Sequence, residues 1–196
     1  VTLKPERLSA FCDGVIAIAI TLLVLGLEVP SVREVPEQRL AAYLSDSLYP
    51  LIGYVSSFAL IGVFWMYHYI IFKHVEKVDR LFVFLNGLFL LCLSFIPFPT
   101  GLHAVYRDDE LATVVYSATI ALAGLSLLAI WRYATGSHRL VSPELSPRVV
   151  RSMTWQIAIA PLISVVSMGL SFLSIPLSRA LFLVIPVIAL TFRDRE

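Results

Sequence analysis

Residues 7–21 read RLSAFCDGVIAIAIT. An arginine and an aspartate head a run that is otherwise apolar or small, and the run continues as LLVLGLEV to residue 29. A helix needs about 20 mostly apolar residues to cross the hydrocarbon core of a bilayer. This stretch has that length, so Leu8 to Val29 is expected to span the membrane. The charges are the informative exception. An ionisable side chain at bilayer depth costs roughly 3 kcal/mol or more and almost always finds a polar partner or a water-filled cavity. Asp13 therefore asks for a partner elsewhere in the chain.

The rest of the sequence has the same character. Hydrophobic residues make up 58 % of the 196 positions and charged residues 15 %, where a soluble domain carries roughly 25 % charge. Mean hydropathy is +0.84. The formal net charge is +1, and no basic run of the kind that follows phosphates is present, which leaves nucleic acid out of the expected partners. Cys12 and Cys92 fall inside apolar segments and read as small buried core residues, with no metal-ligand spacing around them. Lys4 and Arg7 before an apolar run imitate a signal peptide. Asp13 would interrupt its apolar region, however, and no small-x-small cleavage site follows.

Six segments are expected to cross the bilayer: Leu8–Val29, Leu48–Phe72, Leu81–Leu102, Leu111–Tyr133, Val149–Leu173 and a short one at Pro176–Phe192. A short interfacial helix over Pro36–Ser45 precedes the second. Pro97 and Pro99 should disturb the end of the third, and Pro161 should kink the fifth. Backbone groups in lipid must pair within their own segment, so helices are the only reading. The chain is expected to be an all-α membrane protein of one domain, residues 1–196, without internal repeat. With the N-terminus in the cytoplasm, that side collects Lys4, Arg7, Lys73, Lys77, Arg80, Arg132, Arg139, Arg148, Arg151, Arg193 and Arg195, and the outside keeps Arg33, Arg39, Arg107 and Arg179. Positive residues favour the cytoplasmic side, so both termini are expected there. Trp131, Tyr133 and Trp155 then fall at the inner interface, and Tyr49 and Tyr106 near the outer one.

On a helical wheel at about 100° per residue, Phe11, Gly14, Ile18, Thr21, Leu25 and Glu28 recur at spacings of 3, 4, 3, 4 and 3. Arg7 extends this seam by one turn. Heptad spacing suits helix–helix packing. Two readings fit it: a seam packed on a neighbouring helix of the same subunit, or one facing the axis of a parallel bundle of identical helices. In the second, Glu28 with Glu34 and Glu37 would ring an outer mouth with acid. Ile18 and Leu25 would be hydrophobic constrictions, and Thr21 a ring of hydroxyl oxygens between them.

Asp13 lies about 100° off that seam and roughly 12 Å along the axis from Pro5. His68 and Asn86, counted inward from Lys73 and Arg80, fall at the same depth. Trp65 shares a face of its helix with His68 at i, i+3. Asp13, Trp65, His68 and Asn86 are therefore expected to meet. Such a network would lock three helices together, or would serve as a proton site or gate; it lacks recognisable metal-ligand spacing. Asp108, Asp109 and Glu110 suit a helix start. His103 and His138 read as interfacial loop residues, and YATGSH at 133–138 as a loop at a helix end. No TVGYG-like filter and no HExxH, GxSxG or Walker pattern occurs, so an enzyme is not expected.

RLSAFCD resembles the RxxxFSD signature on the first transmembrane helix of the endolysosomal potassium channel family, in its single-repeat prokaryotic form. Arg7, Phe11 and Asp13 match, and Cys12 departs from the usual Ser. AIAIT, Trp65, His68, Asn86 and the IPF at Ile96 to Phe98 also resemble the family. The resemblance implies a potassium-preferring cation channel without a TVGYG filter. It implies a homotetramer of six-helix subunits in the prokaryotic inner membrane, with monovalent cations and the lipid bilayer as partners. The pore would lie on the four-fold axis, lined by the first helix, with constrictions at Ile18 and Leu25 and the selectivity-linked hydroxyl at Thr21. Arg7 and Asp13 would belong to a polar network with Trp65, His68 and Asn86. No cofactor is implied beyond permeant potassium. The rival expectation is an ion- or proton-coupled secondary transporter using Asp13 and His68.

Overall fold

The computed structural model describes residues 4–31, 35–36 and 39–191. Arg33, Glu34, Glu37, Phe192, Arg193 and Arg195 lie outside the described residues. The described chain is helical throughout: α1 Pro5–Leu22, α2 Leu40–Asp46, α3 Leu48–His74, α4 Arg80–Phe95, α5 Pro97–Val105, α6 Glu110–Thr135, α7 Pro147–Leu170 and α8 Ile175–Thr191. Five stretches are long and apolar enough to cross a membrane: Pro5–Gly26, Leu48–His74, Arg80–Val105, Glu110–His138 and Pro147–Leu170. The sixth expected span, α8, has 17 residues.

The helix starts follow local chemistry. Pro5 occupies the first turn of α1, where its missing N–H costs nothing. Asp79 caps α4 by accepting from the N–H of Phe82 at 2.8 Å. Asp109 caps α6 by accepting from the N–H of Ala112 at 2.9 Å, with Glu110 in the first turn. Ser146 caps α7, followed by Pro147. The break between α4 and α5 falls at Ile96, directly before Pro97, whose ring cannot continue the hydrogen-bond ladder.

Two expectations need correction. Helix one does not keep α-helical register to Val29. It tightens to a 3₁₀ turn at Leu23–Gly26 and becomes extended at Leu27. The turn packs on α5, where Gly26 approaches Gly101 closely enough that an added Cβ would lie 3.8 Å from the Gly101 Cα. His103 is not a loop residue. It lies in α5, stacks on Tyr116 at 5.1 Å and meets the Thr113 hydroxyl at 3.2 Å.

Packing proceeds from α1 onto α3 and α4, from α4 onto α6, from α6 onto α7, and from α7 onto α8, which returns to α3. α6 and α7 approach closely: a Cβ on Gly124 would lie 2.6 Å from the Pro161 ring. Lipid tails are as apolar as leucine, so helices in a bilayer associate through such small-residue contacts and through hydrogen bonds. A buried hydroxyl series supplies the latter. Ser57 meets Thr100 at 2.9 Å and Tyr116 at 3.0 Å, while Ser167 meets Ser117 at 3.2 Å and Ser178 at 2.7 Å. It ties five helices together, and the helical patterning had singled out none of its members.

At the end of the bundle that carries Pro5, the α3–α4 and α6–α7 loops pair through Val75 and Val141, and the Glu76 N–H donates to the Leu140 carbonyl at 2.9 Å. The Tyr133 hydroxyl donates to Asp79, and the Arg139 guanidinium lies 4.9 Å from the Tyr133 ring. Partial burial works to raise the Asp79 carboxyl. The bonds from Tyr133 and the Phe82 N–H, with the Arg139 charge, outweigh it and hold Asp79 below its ordinary value.

Candidate functional site

Helix one has two faces, and the subunit covers only one. Leu8, Cys12, Ile16, Ala19 and Leu23 are buried, at most 7 % exposed. They recur at spacings of 4, 4, 3 and 4, which is the stripe an amphipathic packing face requires. The heptad seam occupies the other face. Phe11 is 62 % exposed, Ile18 60 % and Leu25 74 %, and Arg7, Gly14, Thr21 and Glu28 are exposed as well. The seam is therefore not packed on another helix of its own subunit. An added Cβ on Gly14 meets nothing within 4 Å. Leu25 and Glu28 keep their exposure although the chain leaves α-helical register before them.

Thr21 is arranged as an acceptor. Its hydroxyl donates to the Ile18 carbonyl at 2.8 Å, a common back-bond for Thr inside a helix. The proton is used within the helix, so the exposed Oγ1 presents lone pairs. A hydroxyl in that state suits a cation better than an anion. Beyond the 3₁₀ turn, the Tyr43 hydroxyl donates to the Glu28 carbonyl at 2.6 Å and ties α2 to the end of helix one.

The four residues expected to meet at one depth form two clusters. Asp13, half-buried, accepts the Nε1–H of Trp65 at 2.9 Å. Trp65 is itself exposed and stacks on Tyr69 at 6.1 Å. The second cluster is wholly buried. The Asn86 amide N–H donates to the Phe82 carbonyl at 2.8 Å, which turns Oδ1 toward His68 Nε2, 3.0 Å away. An acceptor opposite Nε2 places the ring proton on Nε2 in a neutral imidazole. Nδ1 has no partner among the described residues. His68 stacks on Phe89 at 5.5 Å and lies 4.7 Å from Phe72, so an apolar shell surrounds it.

The expected bond from Asp13 to His68 or Asn86 is not made. The reason is rotational. Asp13 and Cys12 are adjacent and project about 100° apart, and it is Cys12 that points inward. Its thiol is fully buried and donates weakly to Asn86 Oδ1 at 3.9 Å. Cys12, at the position where the signature has Ser, thus supplies the donor that links α1 to α4. From the sequence only burial was expected of Cys12. Arg7 is exposed and makes no side-chain hydrogen bond or ion pair among the described residues, and Phe11 lies on the seam.

Among the described residues no group of three His, Cys, Asp or Glu could hold a metal ion. The arrangement offers an uncovered stripe of small, apolar and hydroxyl side chains along one helix, with two polar contacts behind it that set the helix's rotation.

A family profile described as endosomal/lysosomal potassium channel TMEM175 matches residues 7–97, from the start of the quoted stretch to the first residue of α5. A potassium channel of Chamaesiphon minutus is 36 % identical over 185 residues, covering 92 % of this chain and 91 % of that protein. A potassium channel of Streptomyces collinus is 35 % identical over 178 residues, covering 89 % of this chain and 85 % of its own length. The crystal structure of a lysosomal potassium-selective channel TMEM175 homologue from Chamaesiphon minutus superimposes with a TM-score of 0.84 at 32 % identity, covering 94 % of this chain and 95 % of that one.

Proposed function

Because this chain belongs to the endosomal/lysosomal potassium channel TMEM175 family, we propose that it is a potassium channel whose ion path is lined by helix one from four identical subunits. It is a multi-pass membrane protein and not an enzyme. The single observation that carries the pore reading is the uncovered heptad seam. In a lipid-facing helix nothing would favour a glycine, a threonine and a glutamate on the same stripe as Ile18 and Leu25.

Around a four-fold axis the seam becomes a series of rings. Ile18 and Leu25 form hydrophobic constrictions that gate by dewetting. Thr21 between them replaces part of a cation's hydration shell with hydroxyl oxygens. Glu28 concentrates monovalent cations at the outer mouth. Each subunit is one channel domain with six crossings and both termini in the cytoplasm; α8, near 25 Å long at 1.5 Å per residue, makes the sixth. The Asp13–Trp65 bond and the Cys12–Asn86–His68 cluster hold the rotation of helix one, so that the seam and not the packing stripe meets the axis. Phe11 and Arg7 form the cytoplasmic entrance. No bound cofactor takes part.

The transporter reading would put Asp13 and His68 to work together in proton coupling. They share no hydrogen bond, and the helix that bears Asp13 runs unbroken from Pro5 to Leu22, whereas transporter sites are built where helices break at midmembrane.

Planar-bilayer recordings of wild type beside Ile18→Asn test the proposal. A polar, hydrated ring at the constriction should raise unitary conductance several-fold and weaken potassium-over-sodium selectivity. If neither quantity moves, helix one does not line the pore. Saturating, pH-coupled flux without unitary currents would favour the transporter.

A further inference from the structure

Between the end of α6 and the start of α7 lies a cavity of about 390 Å³ that the ion path does not use. Arg132, Arg151 and His138 line its polar side, Leu145 and Val150 its apolar side, and Trp155 stands at its edge, 62 % exposed. No Asp or Glu lines it among the described residues. Neither Arg132 nor Arg151 makes a hydrogen bond, an ion pair or a ring contact among them. The other basic side chains that approach aromatic rings are engaged: Arg107 and Arg179 rest on Tyr49 and donate to backbone carbonyls, Arg139 lies on Tyr133, and Lys73 lies over Tyr69.

The loop that brings His138 to the cavity is held in an unusual backbone conformation. Ser137 and His138 have φ of 53° and 50°, in the left-handed region that side chains other than Gly rarely adopt. His138 Nδ1 is anchored 3.1 Å from the Ser142 carbonyl, which leaves Nε2 for the cavity. The first turn of α7 adds the positive end of its dipole. Two unpaired guanidiniums, an imidazole and a helix start converge, beside an apolar wall and an exposed tryptophan.

We propose that this cavity binds the phosphate headgroup of an anionic phospholipid in the cytoplasmic leaflet, with the acyl chains running along α7. Basic pockets between transmembrane helices on the cytoplasmic side suit anionic headgroups, and a tryptophan at the edge belongs at headgroup level. The site stays open to lipid in the assembly. α7 packs on α6 and α8, and α4 and α6 stand between it and the helix-one seam. The leaflet assignment rests on the channel reading and its cytoplasmic termini.

The test measures thermal stability and lipid binding of the purified, assembled protein in detergent, titrated with phosphatidylglycerol or with phosphatidylcholine. Phosphatidylglycerol should bind preferentially and raise Tm. Arg132→Gln with Arg151→Gln should weaken its apparent affinity about 25-fold, near fivefold per charge. Arg148→Gln, a neighbouring exposed charge outside the cavity, should leave it unchanged. Equal loss in Arg148→Gln, or none in the double variant, overturns the site. Inorganic phosphate that reproduces the full effect overturns the lipid assignment. Potassium flux from the same preparation in phosphatidylglycerol vesicles separates the two readings. Flux without lipid preference removes this site alone, and preference without flux removes the channel reading alone.

Discussion

The 18-residue windows of the spans Pro5–Gly26 and Glu110–His138 that qualify them for a membrane have mean hydropathies of 2.4 and 2.0, yet 28 % of the first window and 61 % of the second is buried within the subunit. Both helices belong in a membrane, and the subunit uses them in opposite ways. α6 is enclosed by α4 and α7 and carries Gly124, Ser117 and Ser126 where neighbouring helices come close. Helix one buries a single stripe and leaves Gly14, Ile18 and Thr21 bare. Hydropathy separates a chain from water. It does not separate a helix enclosed by its own subunit from one that the subunit leaves bare on one side.

That contrast can be broken most forcefully at Gly124. Gly124→Leu drives a side chain into the Pro161 ring, where even a Cβ would lie at 2.6 Å. It should cost about 3 kcal/mol, seen as a lower Tm and a loss of monodisperse protein. Ile18→Asn, on the bare face, should leave subunit stability within about 0.5 kcal/mol while changing conductance. Comparable destabilisation by the two variants would mean the seam is packed after all.

A smaller effect is expected at Asp13. Asp13→Ala removes one hydrogen bond, from a half-exposed Trp65, while His68 and Asn86 keep each other. The cost should be about 1 kcal/mol, read by thermal melting, with the assembly intact. A loss of several kcal/mol would show that Asp13 supports the buried cluster and not Trp65 alone.

The smallest effect concerns the loop end. The folded Asp79 carboxyl sits below its ordinary value, so the stability it contributes is present above the unfolded value, near 4, and is lost as pH falls through the lower folded value. Tyr133→Phe removes the largest of the interactions that hold it down. Acid unfolding of that variant should begin at higher pH than in wild type, with little difference at pH 7 beyond the lost bond. Superimposable acid-unfolding curves would show that the Tyr133 bond does not hold Asp79 down.

Much of this architecture was legible in residue order. Apolar run lengths located the spans, because the bilayer sets a minimum length. Asp109 and Glu110 marked one helix start and Pro97 the break after another helix, because capping and proline breaks are local chemistry. The common depth of Asp13, Trp65, His68 and Asn86 followed from counting residues at 1.5 Å each. Less legible was the 3₁₀ turn at Leu23–Gly26. It depends on Gly26 meeting Gly101, a contact between segments far apart in the chain. The hydroxyl series around Ser57 and Ser167 was equally hidden, since a serine in an apolar helix looks the same whether it faces lipid or another serine.

The sequence by itself determined that this is a helical membrane protein, and which side chains of helix one share a stripe, because periodicity sets the angles between residues on one helix. Only the tertiary structure decided which stripe is covered. It turned Cys12 toward Asn86 and Asp13 toward Trp65, and left Ile18 and Thr21 facing outward. That choice depends on the rotation of one helix against its neighbours, and the rotation follows from contacts contributed by α3, α4 and α5 together.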